Sequence, residues 1–406
     1  MFTLLVFAWL FVDSGQANSQ AAAGLQALDR QDYHQAEQIF SKLAADDPKD
    51  YSALFNLALA ESALKQDEQA VEHYKQVLAL KPGLYEAELN LGILDVRNHH
   101  AAEAVPLLQD AAKQKPAQPR PQRYLGDALL ATGDTAGAAS AFQAALAADP
   151  KQAVAELGLG QSLAREGKLD AALPHYRQAV ALDTNLKSYL LEIAIAFLKA
   201  NRPKDAIPLL SEFPGDPGVC EELGRLYLAD NQPAEAVKQF QAAVAASPTS
   251  ANRLALATAY LKNSQSDLAA PILEQELTAH PNDYDLRMAV GRIYRDRRDF
   301  AKAGAQFVVA GQLKPDSVEA WNEAASVFVL AELYPQALAA LDKIHTLNAE
   351  TAGDYFYRAI VYDKLHQIKP ALENYQKFLA TSGGKFPNQE FQARQRSKLL
   401  EREASR

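Results

Sequence analysis

Proline recurs every 34 residues at Pro48, Pro82, Pro116 and Pro150, and returns at Pro248, Pro281 and Pro315 with steps of 33 and 34. Alanine keeps the same beat through Ala36, Ala70, Ala104, Ala138, Ala172, Ala206, Ala236, Ala269, Ala303, Ala337 and Ala371. Its steps shorten only to 30 and 33 across Ala206, Ala236 and Ala269. Twelve residues before each alanine stands glycine or alanine, as at Gly24, Ala58, Gly92 and Gly126. Four residues after each stands a large apolar side chain, as at Phe40, Tyr74, Leu108 and Phe142. A length of 406 residues ordinarily suggests two or three globular domains. A fixed short period means instead one small unit stacked on copies of itself, each burying its apolar side against the next.

Within a copy the spacing predicts two antiparallel helices. Between Pro217 and Thr249, Leu223, Leu226 and Tyr227 share one face of a first helix, and Ala236, Val237, Phe240, Ala243 and Val244 one face of a second. The small residues lie where two backbones approach closely, and the large residue one turn past the alanine fills the gap they leave. Gly133, Gly167 and Asn231 suit a left-handed cap after the first helix, and proline ends the second. This pattern resembles the tetratricopeptide repeat, W-x2-L-G-x2-Y, then A-x3-F, then P. The best match reads Cys220-x2-Leu223-Gly224-x2-Tyr227, Ala236-x3-Phe240, Pro248. The resemblance implies an all-α protein, a right-handed α-solenoid or superhelix of about eleven helix-turn-helix repeats. Such a stack presents a concave groove, lined by the first helices, to a protein or peptide.

Two arrays are expected, residues 18–216 with repeats one to six and residues 217–385 with repeats seven to eleven. They part near residue 216 because Phe213-Pro214-Gly215-Asp216-Pro217-Gly218 cannot continue a helix, and the sixth repeat is short. Residues 386–406 read as a capping helix with Phe391, Leu399 and Leu400 facing inward. At the other end, Phe2 to Val12 form an uncharged apolar run, too short to span about 30 Å of bilayer as a helix. With Gly15 and Ala17 placed for a signal peptidase, residues 1–17 are expected to be a signal peptide cleaved near Ala17, directing export to the periplasm or outside. No Lys or Arg precedes the run, so an uncleaved anchor at residues 2–12 and a cytosolic protein remain alternatives. Membrane contact is expected only through this segment.

The first helices of repeats two and three, around Leu54-Phe55-Asn56-Leu57-Ala58-Leu59 and Leu89-Asn90-Leu91-Gly92-Ile93-Leu94, are apolar nearly all round. A helix buries one stripe in its own stack, so the remaining apolar face needs another partner. The resemblance assigns Phe55, Leu59, Leu89, Ile93 and Val96 to the groove, where an exposed apolar patch would hold a peptide or helix. The competing reading is that the array or its own N-terminus covers them. Asn56 and Asn90 share one repeat position, as in the asparagine ladder of O-GlcNAc transferases, but Tyr124 and Gly158 end that series. In the second half the inner face is polar, with Glu221, Glu222, Arg225, Arg292, Arg295, Asn322 and Glu323.

A net charge of −9 gives no footprint for nucleic acid or an anionic membrane surface. The single cysteine, Cys220, permits no intramolecular disulfide and reads as a packing residue. His99-His100 falls in a turn with no third ligand near in sequence, and Gly158-Leu159-Gly160 follows no strand. No catalytic, cofactor or metal motif stands out. The expected function is a non-enzymatic interaction scaffold in the bacterial cell envelope. The alternatives are a regulatory or substrate-holding subunit of an envelope enzyme or secretion complex, and a self-associating structural protein.

Overall fold

A computed structural model describes residues 17–405. Among them are twenty-three α-helices, one 3-10 helix and no strand. The helices come in pairs at the sequence period. In repeat two, a first helix of 13 residues (Tyr51–Ala63) is followed by a second of 14 (Asp67–Leu80), and repeat three repeats the scheme with Tyr85–Arg97 and Ala101–Gln114. The segment expected to act as a signal lies outside the described residues except for Ala17. Among the described residues no helix is long and apolar enough to cross a membrane.

Close approach of the two helices rests on a pairing of sizes. A β-carbon added to Gly24, Gly126, Gly224 or Gly291 would come within 2.6 to 2.8 Å of the ring of Phe40, Phe142, Phe240 or Phe307, sixteen residues on. Where alanine replaces glycine the partner is smaller or a tyrosine, as in Ala257 with Leu273 and Ala58 with Tyr74. Each phenylalanine of the series therefore faces a glycine, and its ring fills the space that the missing side chain leaves.

The turn between the helices uses one left-handed residue per repeat. Gly133, Gly167, Asn201 and Asn231 fit the chemistry of that turn, but Lys65, His99, Arg298 and Glu332 adopt the same positive φ. The reason is the hydrogen-bond closure: Gln66 N–H donates to the Glu61 carbonyl at 2.9 Å and Lys65 N–H to that of Ser62 at 3.2 Å. These bonds cap carbonyls that the helix end leaves open and outweigh the local cost of the side chain.

The array divides into two compact units between Glu212 and Phe213. Repeat six, which ends the first, has a 3-10 helix (Thr184–Tyr189) before a short first helix (Leu190–Lys199) and a second of only eight residues (Pro203–Leu210). The second unit opens with Pro217–Ala229, whose N-cap Asp216 accepts from Val219 N–H. It closes with Pro387–Ala404, which buries Glu390, Ala393, Ser397 and Leu400. Only Leu400 of the three expected inward residues is buried, at 1% exposure, while Phe391 is 66% and Leu399 46% exposed. Ala393 stands 34 residues after Ala359, so this helix packs in the register of a first helix, and that register turns Phe391 and Leu399 outward.

Candidate functional site

The apolar residues expected in an open groove lie inside the first unit. Phe55, Leu59 and Leu89 are at most 1% exposed, Ile93 is 8% exposed, and Val96 is half-buried. The helix Tyr51–Ala63 buries every residue from Ser52 to Ser62. Phe55 meets the ring of Tyr74 edge-on at a centroid distance of 5.6 Å. Leu89 and Ile93 share a cluster with Leu125, Leu129 and Leu130 of repeat four, and Val96 packs against it. The second partner these helices require is therefore met within the protein, and Phe55, Leu59, Leu89 and Ile93 offer no free surface.

The two asparagines are also turned inward. Asn56 Nδ2 donates to the Ser52 carbonyl at 2.9 Å, and Asn90 Nδ2 to the Tyr74 hydroxyl at 3.3 Å. Nearby, Glu61 and Asp95 occupy positions where later copies place Tyr227, Tyr260 and Tyr294. Glu61 Oε2 lies 2.7 Å from His73 Nδ1 on the second helix of its own repeat, and this hydrogen bond, opposed by burial, raises the imidazole pKa. Asp95 is 3% exposed, and burial pushes its carboxyl up to about 6 against the pull of Lys75 and His100.

The polar candidates of the second unit remain at the surface. Arg225 is exposed and bonded at 2.6 Å to Glu222 one turn away, which keeps it on its own helix. Arg292 and Arg295, on Tyr284–Asp296 of repeat nine, reach forward to repeat ten. Arg292 Nη2 donates to Glu319 at 2.6 Å, and Arg295 Nη1 to both Glu323 oxygens at 2.8 Å. These two carboxylates border a cleft of ≈ 590 Å³ whose walls include Asn322, Ser326, Asp354 and Tyr357.

Local sequence explains the arrangement. Glu319, Asn322, Glu323 and Ser326 fall three and four apart on the helix Val318–Leu330 and so share a stripe. Asp354 comes from the next first helix, where Thr351 donates to its Oδ2 from both N and Oγ1 at 2.7 Å in a capping box. Asn322 Oδ1 is buried without a hydrogen-bond partner. The sequence pattern singled out Arg292, Arg295, Asn322 and Glu323 but missed Glu319, Ser326, Asp354 and Tyr357. Stripe spacing could have found the first two, whereas the last two enter only through packing of repeat eleven on repeat ten. Among the described residues, no His, Cys, Asp or Glu cluster has a metal-binding arrangement. The cleft is a surface of hydrogen-bond acceptors held in place by neighbours, suited to recognising a partner.

Helix pairs repeated through each of two arrays, the second carrying a polar cleft on its first helices, define a repeat protein of the interaction-scaffold class. The chain matches the tetratricopeptide repeat family over residues 21–85, 89–153, 157–219 and 254–310, more than half its length, and belongs to that family. Among solved structures, MamA 41-end from Desulfovibrio magneticus RS-1 is similar at 21% identity over 43% of this chain and 98% of that one, with a TM-score of 0.40. MamA MSR-1 is similar at 23% identity over 42% and 98%, with a TM-score of 0.39. No curated protein matches the chain.

Proposed function

We propose that this protein is a non-enzymatic scaffold that holds an extended peptide segment of a partner protein along the polar first-helix face of repeats nine to eleven. The observation that carries the reading is the cleft of ≈ 590 Å³ walled by the polar stripe Glu319, Asn322, Glu323 and Ser326 together with Asp354 and Tyr357. Carboxylates already oriented by Arg292, Arg295 and Thr351 offer acceptors along this face that peptide N–H or side-chain donors can use. The volume lies within the roughly 300–1,000 Å³ typical of ligand sites. Export to the cell envelope, directed by residues 1–17, is part of the same proposal and rests on the apolar run from Phe2 to Val12.

The test is a photo-crosslinking amino acid placed at Ser326 in the cleft and, separately, at exposed Ser140 in the first unit. In living cells the Ser326 probe should give a discrete protein adduct that the Ser140 probe does not. Equal adducts from both, or none from Ser326, would sink the groove reading. Cell fractionation with N-terminal sequencing checks export, for which a mature chain beginning near Asn18 is expected.

A further inference from the structure

We propose that the outward face of the terminal helix Pro387–Ala404 is a dimerisation surface that pairs antiparallel with the same helix of a second copy of this chain. The surface is separate from the peptide cleft, and the proposal goes beyond the scaffold reading without depending on it. The helix turns Glu390, Ala393, Ser397 and Leu400 into the core, and on its opposite side Phe391, Gln395 and Leu399 stand one turn apart. Phe391 is 66% exposed, more than any other large apolar side chain among the described residues, and Leu399 is 46% exposed. Both border a cleft of ≈ 400 Å³ whose wall on the preceding repeat includes Ile360 and the buried Tyr375. An aromatic ring and a leucine set together beside an open cleft mark an interaction surface.

The sequence of this face matches itself in reverse. With Gln395 on a two-fold axis, residues equally far before and after it meet, so Phe391 of each copy lies over Leu399 of the other. Gln392 then meets Lys398, Asn388 meets Arg402, and the two Gln395 amides meet each other, each able to donate and accept. No pair on the face carries like charges. A parallel pairing would set Lys398 against Lys398 and Arg402 against Arg402, so charge selects the antiparallel one. The cations at the flanks are already engaged within the chain: Arg396 holds Asp363 through two bonds at 2.7 and 2.8 Å, and Arg394 reaches Glu390 at 3.2 Å. The cleft beside Leu399 gives the second copy's Phe391 ring room to pack. One helix face is small against the roughly 1,200–2,000 Å² of a standard interface, so the dimer is weak and forms as concentration rises.

Sedimentation velocity of the purified protein over a range of micromolar concentrations should show a monomer–dimer equilibrium. Phe391→Ala should raise the dissociation constant about tenfold or more. Phe391→Glu should leave a monomer whose helical circular dichroism matches the parent, because the side chain is exposed. Orientation is read with a short bismaleimide: Asn388→Cys and Arg402→Cys chains should cross-link to each other in a mixture, and neither to itself. The parent, whose Cys220 is buried, is the control. A monomer at every concentration, a dimer that survives Phe391→Glu, or self-linking of either cysteine variant would overturn the proposal. In living cells a photo-crosslinking residue at Gln395 should yield an adduct of twice the chain mass. An adduct with another protein alone would give this face to that protein and overturn the dimer as well. Loss of the Ser326 adduct with the dimer intact removes the peptide reading and leaves this one standing.

Discussion

Asn90 donates from Nδ2 to the Tyr74 hydroxyl at 3.3 Å, and both side chains are fully buried. Tyr74 fills the gap opposite Ala58 in repeat two, and Asn90 sits on the first helix of repeat three, so the bond ties one repeat to the next. Asn90→Leu should cost about 1–3 kcal/mol by leaving the Tyr74 hydroxyl buried and unpaired. Tyr74→Phe in that background should recover part of the loss. Urea unfolding of the single and double variants measures both, and an absence of recovery would show the bond to be energetically idle.

Phe55→Glu combined with Ile93→Glu places two charges in the core of the first unit. The expected loss exceeds about 4 kcal/mol, because a buried charge without a partner is among the most destabilising changes. Helical circular dichroism at 25 °C should fall and the unfolding midpoint should drop sharply. A double variant that keeps its helicity would mean these residues are surface after all.

Gly291→Ala brings a β-carbon to 2.6 Å from Phe307. The clash should cost roughly 1–3 kcal/mol, partly offset by the better helix propensity of alanine. Adding Phe307→Leu should restore stability, since Ala257 with Leu273 shows that combination in a natural copy. Thermal unfolding of the two variants reads the compensation directly. A double variant less stable than Gly291→Ala alone would contradict the size-pairing rule.

Asp95 has a folded-state pKa raised to about 6 by burial, above the ordinary carboxylate range. The folded state therefore binds its proton more tightly than the unfolded chain, and stability falls as pH rises through about 6. Asp95→Asn should stabilise the protein by roughly 2 kcal/mol more at pH 8 than at pH 4.5, since each tenfold difference in proton affinity is worth about 1.4 kcal/mol. His73 works through a different partner: its raised pKa makes its contribution full below pH 6.5 and lost as pH rises through the folded value. Unfolding curves at the two pH values, with and without Asp95→Asn, isolate the carboxyl. Equal effects at both would place Asp95 in a solvated site.

The repeat and its two helices were legible in sequence because they depend on contacts within about 34 residues. Gly126 and Phe142, sixteen apart, meet in the structure as the pattern requires. The turn was only half legible: Gly133 advertises its left-handed φ, but Lys65 and Glu332 adopt one for which their side chains give no signal. The candidate site was less legible still. Arg292, Asn322 and Glu323 could be placed on one face from spacing, while Asp354 joins them through the capping box and the packing of the next repeat.

By itself the sequence determined what kind of unit is stacked, since small and large residues at a constant spacing allow only close-packed helix pairs. Leu59, Ile93 and Ile195 stand at the same place in their copies, one residue past the small position, and are equally apolar. Their exposures are 1%, 8% and 47%. The tertiary structure alone decided between core and surface for these three, because burial belongs to the neighbours that reach a side chain and not to the side chain itself.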